Sequence, residues 1–197
     1  MQKTTCASAR QYLDELGGLL GRLDAAAIDD LTDRTVRRWE EDACVLVAGN
    51  GGSASTASHY VTDLVKTAWV PGLRRLRALS LTENPGLTTA LGNDIAFDET
   101  LSFPLESYGR EGDLLIAISG SGNSPNIVKA CELARDRGIE VAALTGFDGG
   151  AIGRMADLHV NVPSDNYGLV EDVHLSIGHM LGQGLRARLL ARVPAAS

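Results

Sequence analysis

A chain of 197 residues is long enough to bury a hydrophobic core within one domain. Its composition, with 44% hydrophobic and 22% charged residues, is that of a globular protein and excludes a disordered or fibrous chain. The net charge of −7 argues against nucleic acid or an anionic membrane as a partner. It leaves an anionic small-molecule substrate open, because local amide groups can outweigh distant surface charge.

The first predicted elements form an N-terminal helical hairpin. Residues 6–23 and 25–41 carry apolar side chains at helical spacing. A continuous apolar run, Cys44–Ala48, follows and is typical of a strand buried on both faces of a parallel sheet. Similar runs occur later in the chain, at Leu76–Leu81, Leu114–Ile118, Val141–Leu144 and Leu158–Val162.

Helical stretches separate these runs and complete the fold prediction. Ser124–Arg137 reads as a helix that ends at Gly138, and Tyr167–Val193 as a long closing helix whose apolar stripe also suits contact with another subunit. The alternation predicts a doubly wound α/β fold with about five parallel strands flanked by helices. We expect one domain over residues 1–197, with residues 1–42 as the hairpin and residues 43–197 as the α/β core.

The cysteines and the N-terminal residues indicate the cellular compartment in which the protein is expected. Cys6, Cys44 and Cys131 lie far apart without a C-x-x-C pair, which argues against a disulfide framework or a cysteine zinc site. Cys44 opens an apolar strand and Cys131 lies on the apolar stripe of a helix, so we expect buried, inert thiols. Residues 1–5 contain no apolar signal core, and no run approaches the ~18–20 apolar residues of a membrane span. We therefore expect a cytoplasmic protein.

Two serine-bearing loops follow two of the predicted strands. The first spans Gly49–Ser53 and the second Ser119–Ser124. Ligands of open α/β sheets bind at the carboxyl ends of the strands, and a helix that begins there presents free N–H groups to a phosphate. The pattern lacks the lysine of a nucleoside triphosphate loop, which favours a phosphomonoester. The alternative is that serine and glycine only turn the chain and cap a helix.

Four polar residues in two helical segments suggest the chemistry. His59 and Asp63 are four residues apart and share a helix face, whereas Glu171 and His179 are eight apart on the closing helix. Carboxylates and imidazoles can move protons near neutral pH, and the same groups suit zinc. Each one alone is more commonly a solvated side chain. We interpret His159 as structural and His174 as an interface histidine.

These features resemble the sugar isomerase (SIS) domain family, and within it the phosphoheptose isomerases. The resemblance covers essentially the whole chain. It rests on five stretches: GNGGSASTASHYVTDL from Gly49, GND from Gly92, ISGSGNSPNIVKA from Ile118, LTGFDGG from Leu144 and VEDVHLSIGH from Val170.

The resemblance implies an activity and a set of site residues. The expected reaction converts sedoheptulose 7-phosphate to an aldoheptose 7-phosphate through a cis-enediol. The phosphate would be held by Ser53, Ser119, Ser121 and Ser124, with Gly120 between two of them. The sugar chain would contact Asn50, Gly51, Gly52, Asn93 and Asp94. The catalytic and metal centre, with zinc as the expected ion, would comprise His59, Asp63, Glu171 and His179. The family implies a homotetramer with sites at subunit interfaces.

Two departures from the family pattern fall on the centre. The family usually has glutamate where this chain has Asp63, and glutamine where it has Glu171. We hypothesise that the changes alter the placement of the base, and with it either metal affinity or the face on which the enediol is reprotonated. The product would then be the altro rather than the manno epimer.

Two other functions remain open at this point. A SIS protein can be a non-catalytic sugar-phosphate sensor or adaptor, which would not need the acid/base residues. The chain could also isomerise a different ketose phosphate. We favour catalysis, with His179 and Asp63 as the acid/base pair, Glu171 as a third functional carboxylate and His59 as a metal ligand.

Overall fold

The computed structural model describes residues 5–193. Part of the N-terminal segment on which the absence of a signal peptide was judged, residues 1–4, lies outside this range. The predicted hairpin is confirmed as α1 (Ala9–Leu20) and α2 (Ala25–Glu40). Ser8 and Asp24 cap these helices, since their side-chain oxygens accept hydrogen bonds from main-chain N–H groups of the first turn.

A parallel sheet forms the centre of the molecule and confirms the predicted fold. Within the described residues it has five strands in the order β2-β1-β3-β4-β5. The strands are β1 (Cys44–Gly49), β2 (Arg77–Ser80), β3 (Leu114–Ser119), β4 (Glu140–Thr145) and β5 (Leu158–Asn161). Each agrees with its predicted run to within two residues, because β1, β3 and most of β4 are buried on both faces.

The remaining helices cover both faces of this sheet. They are α3 (Gly52–Thr62), α4 (Pro85–Asp94), α5 (Ser102–Tyr108), α6 (Pro125–Asp136), α7 (Gly150–Met155) and α8 (Tyr167–Leu190). One core cluster joins Val45, Val47 and their neighbours to α1, α2, α3 and α8, and a second joins Leu46, Ala48 and their neighbours to α5, α6 and α7. In the described part of the chain, none of the helices is both long enough and apolar enough to cross a membrane.

The strand order places a switch point between β1 and β3. β1 leads into α3 on one face, and the adjacent β3 leads into α6 on the other. The two following loops therefore diverge and leave a crevice at the carboxyl ends of the strands, where open α/β sheets bind ligands. Both serine-bearing loops lie at this crevice.

Cys44 and Cys131 confirm the prediction of inert thiols. Both are buried free cysteines, and burial raises the pKa of Cys44 to about 11 and that of Cys131 to about 12. At neutral pH both thiols stay protonated, so neither acts as a nucleophile.

His174 is buried in the core of the single chain, so its interpretation as an interface histidine is wrong. Its side chain is fully buried, and its Nε2 donates to the main-chain oxygen of Thr145 at 3.1 Å. The same threonine binds His159, whose Nε2 is 2.7 Å from the Thr145 hydroxyl oxygen, which agrees with a structural role for His159. The two histidines thus tie β4 to α8 and β5.

We predict that His174 makes the protein less stable in acid. Burial lowers the pKa of His174 from 6.5 to about 4, and its Nδ1 has no hydrogen-bond partner within residues 5–193. The unfolded chain takes up this proton as pH falls below about 6.5, whereas the folded chain does so only near pH 4. Stability is therefore lost between these values, by about 2 kcal/mol at pH 5.

The substitution His174→Gln tests this prediction, because glutamine retains an N–H donor for Thr145 but does not titrate. Urea unfolding at pH 7 and pH 5 should show that the variant loses about 2 kcal/mol less than the parent between the two pH values. An equal loss in both proteins would contradict it.

Candidate active site

The first loop turns sharply from β1 into α3. A Cβ at Gly49 would overlap the main chain of Ser53, so only glycine lets the helix fold back so closely onto the strand end. This close approach buries Ser53 at the base of the crevice.

The second loop is shaped by its own hydrogen bonds. The main-chain N–H of Gly122 donates to both the carbonyl oxygen and the hydroxyl oxygen of Ser119, at 3.1 and 3.2 Å. The Asn123 side chain donates to the main-chain oxygen of Ser121 at 2.9 Å. Ser124 precedes the first turn of α6, and its side chain does not cap that helix, so its hydroxyl group is free for a ligand.

A glycine turn at Gly146–Gly150 supports the second loop from behind. Gly146 N donates to Gly120 O at 2.8 Å, and Ile152 N donates to Gly122 O at 3.1 Å. The two backbones touch, since a Cβ at Gly150 would overlap the main chain of Ser121. The LTGFDGG stretch therefore acts as a brace for the serine loop.

A pair of hydrogen-bonded asparagines links the first loop to the helix that follows the second loop. Asn50 and Asn126 exchange two side-chain hydrogen bonds, at 2.8 and 2.9 Å. Asn126 is almost fully buried and also bonds to the Thr100 hydroxyl group and to the main-chain N–H of Ile127, each at 3.0 Å. Asn126 does not stand out in the sequence, because an asparagine in the first turn of a helix looks like a local capping residue.

Between the loops lies a cavity of about 160 Å³. Its lining residues are Asn50, Ser53, Ile118, Ser119, Gly120, Ser121, Ser124, Tyr167 and Glu171. The structure thus brings together the four predicted phosphate serines, Asn50, Gly120 and one predicted catalytic carboxylate. Tyr167 was missed; its ring packs close to Gly120, where a Cβ would lie 2.9 Å from the ring. No lysine or arginine of the described residues lines the cavity, so hydroxyl and amide groups are the donors available there to an anion.

Glu171 forms one wall of this cavity. Its carboxylate lies directly over Gly52 in the first turn of α3, where a Cβ would overlap it. Gly52 thus provides the space for Glu171. The Glu171 carboxylate thus lies at the N-terminus of α3, where the helix dipole favours a negative charge.

A second polar group lies where α3 meets α8. It comprises His59, Asp63 and His179, whose candidate ligand atoms all lie within 4.8 Å of one another. Asp63 Oδ2 is 2.9 Å from His179 Nδ1 and 3.6 Å from His59 Nε2. The Asp63 carboxylate is buried, whereas both imidazoles are about half exposed. In the described residues, Glu171 is not part of this group.

Comparisons with known proteins bear on this arrangement. A profile of the SIS domain matches residues 11–146. A phosphoheptose isomerase from Bordetella avium is 42% identical over 74% of this chain and 75% of its own length. A second, from a Geobacter species, is 37% identical over 89% of this chain and 90% of its own length.

The chain belongs to the SIS domain family, with the phosphoheptose isomerases. Solved structures of this family agree with the fold. The phosphoheptose isomerase from Francisella tularensis is 32% identical, with a TM-score of 0.81 over 91% of this chain and 93% of that one. The enzyme from Neisseria gonorrhoeae is 30% identical, with a TM-score of 0.79 over 90% and 92% of the two chains.

In this SIS domain protein, two of the predicted sugar contacts lie apart from the cavity. Asn93 and Asp94 are exposed at the end of α4, where the Asn93 side chain donates to Asp94 at 2.6 Å. They precede Ile95 and Phe97, whose large apolar side chains are also exposed. One chain alone therefore does not bring these two residues to the cavity.

We predict that the brace at Gly150 is needed for phosphate binding. In Gly150→Ala, the alanine would be strained by the positive φ of 58° at this position. Its Cβ would also collide with the main chain of Ser121, so the serine loop must shift. Affinity for sedoheptulose 7-phosphate, measured by calorimetry, should fall at least about tenfold, equivalent to ~1.4 kcal/mol.

Gly112→Ala is the matched control for this experiment. Gly112 also has a positive φ, of 85°, but a Cβ there would meet nothing within 4 Å. It carries the same backbone strain without the collision. Equal losses of affinity in both variants would mean that general destabilisation, not the brace, is responsible.

Proposed function

We propose that this protein catalyses the aldose–ketose isomerisation of sedoheptulose 7-phosphate at the crevice between β1 and β3. The observation that carries the proposal is the pairing of two sites on the same two helices. The serine-lined cavity meets α3 and α8 at Ser53 and Glu171, and the His59, Asp63 and His179 group meets them further along. The two sites suit the two ends of one phosphorylated sugar.

The phosphate would bind in the cavity, at the hydroxyl groups of Ser119, Ser121 and Ser124 and the free N–H groups of the first turn of α6. A helix N-terminus favours an anion through both its dipole and its unpaired donors. Glu171 and His179 are eight residues apart, or ~12 Å along α8. An extended sugar chain anchored at the phosphate would therefore point its carbonyl end toward His179.

Isomerisation requires a base to remove a proton from C1 of the ketose, giving an enediol, and an acid to protonate C2. The Asp63 carboxylate accepts a hydrogen bond from His179 Nδ1, which leaves His179 Nε2 free to exchange protons with the substrate. We assign His179 and Asp63 as the acid/base pair. Glu171, on the cavity wall, is the third functional carboxylate, and its position ~12 Å along α8 from His179 would place it nearer the phosphate end of the substrate.

The same group would hold a divalent metal, with zinc as the first candidate. Two imidazoles and one carboxylate match the ligands of catalytic zinc sites, which keep one position open. Such an ion would polarise the substrate oxygens and so favour the enediolate. Glu171 lies outside this group of the described residues, which argues against a metal-ligand role for it.

The assembly we propose is a homotetramer in the cytoplasm. Two large apolar side chains that follow Asn93 and Asp94 in the sequence, Ile95 and Phe97, are exposed in the single chain, and so are Phe103 and Tyr108 of α5. Exposed apolar patches of this kind mark interfaces. A second subunit packed there would bring its Asn93 and Asp94 close to a neighbouring site.

The activity is tested with a panel of ketose phosphates of five, six and seven carbons. We expect turnover only with sedoheptulose 7-phosphate, and NMR of the product should distinguish the manno from the altro aldoheptose. A pure manno product would contradict the hypothesis that the changes at Asp63 and Glu171 alter the reprotonated face. Binding of the sugar phosphate without conversion would instead support a non-catalytic sensor.

We predict that Asp63→Asn lowers kcat by about 10²–10⁴-fold, the usual contribution of a positioned acid or base. The amide keeps the size of the side chain but can neither take a proton nor stabilise a protonated imidazole. Asp172→Asn is the control, because Asp172 neighbours Glu171 on α8 but bonds to Tyr12 outside the cavity. Steady-state kinetics on both variants checks the prediction, and a fully active Asp63→Asn would refute it.

A further inference from the structure

Two glycines of α8 lie where α3 crosses it. A Cβ at Gly178 would overlap the ring of Tyr60, and a Cβ at Gly182 would lie 3.2 Å from the Cβ of Asp63. The glycines are four residues apart on one face of α8, and Tyr60 of α3 and Asp63, which directly follows α3, are three apart on the facing side. The two segments therefore meet at two points, and at each point glycine lets one of these side chains rest on the backbone of α8.

Tyr60 fixes the register of this crossing. Its side chain is 1% exposed, and its hydroxyl group donates to the main-chain oxygen of His174 at 2.6 Å. The ring fills the space above Gly178 and the hydroxyl group anchors it one turn earlier on α8. α3 thus cannot slide along α8 without breaking a buried hydrogen bond and losing the ring contact.

The crossing determines whether Asp63 can reach His179. Aspartate is one methylene shorter than glutamate, so its carboxylate extends less far from the backbone. Here the Asp63 Cβ rests against Gly182, and the carboxylate lies 2.9 Å from Nδ1 of His179, which directly follows Gly178. Asp63 also opens a π-helical turn, with Ala68 N donating to Asp63 O at 2.8 Å. Such turns commonly occur at functional sites.

We propose that Gly178 and Gly182 are positioning residues that set the separation of α3 and α8 at the value an aspartate requires. Side chains at a helix contact determine the interaxial distance, so removing two of them brings the backbones together. The close crossing compensates for the shorter carboxylate and keeps His59, Asp63 and His179 in one group. This inference rests on the proposed role of that group as a metal and proton-transfer centre.

Gly182→Ala tests the proposal. The new methyl group would press on the Cβ of Asp63, which is fixed to the backbone and cannot rotate away, so the helices must separate. We expect crystal structures to show the distance from His179 Nδ1 to Asp63 Oδ2 lengthened by a few tenths of an ångström. We also expect the Kd for zinc, measured by competition with a chromogenic chelator, to rise about tenfold or more.

Gly184→Ala is the control on the same helix. A Cβ there would meet Arg188 Nη1 and Thr32 Cγ2, both at 3.1 Å, so the crowding is similar but falls away from Asp63. Both substitutions also bring the same gain in helix propensity. The control should keep the parent's zinc affinity and the parent's Asp63–His179 distance. An equal effect of both alanines, or no change in the distance for Gly182→Ala, would overturn the proposal.

Asp63→Glu provides a second variant that leaves the glycines in place. If the spacing is matched to aspartate, the longer carboxylate has no room between α3 and His179, and zinc binding should weaken. Its effect should also be non-additive with that of Gly182→Ala and additive with that of Gly184→Ala. Zinc affinity equal to the parent's in Asp63→Glu would overturn the proposal.

The two readouts separate this inference from the proposed function. The crystallographic distance depends on neither zinc nor turnover. If Gly182→Ala lengthens the distance while the parent shows no isomerase activity, the positioning role is supported and the proposed function fails.

Discussion

The contact between α3 and α8 is the constraint on which the candidate active site depends. α3 leaves the sheet after β1 and α8 closes the chain, so the two helices are far apart in sequence. Their crossing brings His59 and Asp63 to His179 and, nearer the sheet, places Glu171 above the first turn of α3. Without it the polar residues would be scattered on two separate surfaces.

The sheet supplies the other half of the site. β1 and β3 are adjacent, and the helices that follow them cover opposite faces. Their loops diverge and leave room for a ligand, while the pairing of Asn50 with Asn126 prevents them from separating further. The serine-lined cavity is thus fixed by backbone geometry, whereas the group of His59, Asp63 and His179 is fixed by side-chain packing.

The sequence predicts the fold well because the signals for it are local. Continuous apolar runs such as Val45–Ala48 and Leu114–Ile118 can be buried only in the middle of a layered structure, and the strands follow them closely. The serine loops were predicted at the cavity for the same reason, since each follows such a run. His174 was misinterpreted because its burial depends on α8 packing against β4, which no local pattern reveals.

The parts of the site that depend on tertiary contacts were harder to predict. Spacing on α8 could not show that Glu171 would face the cavity while His179 joined Asp63. Asn126 was missed because its partner lies 76 residues away. Asn93 and Asp94 were proposed from the family resemblance, and in the single chain they are exposed at the end of α4, apart from the cavity.

The asparagine pair also affects the chemical durability of the protein. Asn50 precedes Gly51, and an asparagine followed by glycine is prone to deamidation, in which the next backbone nitrogen attacks the side-chain carbonyl carbon. Here both polar atoms of the Asn50 amide are hydrogen-bonded to Asn126, which restrains the rotation that this attack requires. Deamidation would place a carboxylate in the lining of the serine-lined cavity. The pairing therefore protects the enzyme against an ageing reaction that would otherwise begin inside its own active site.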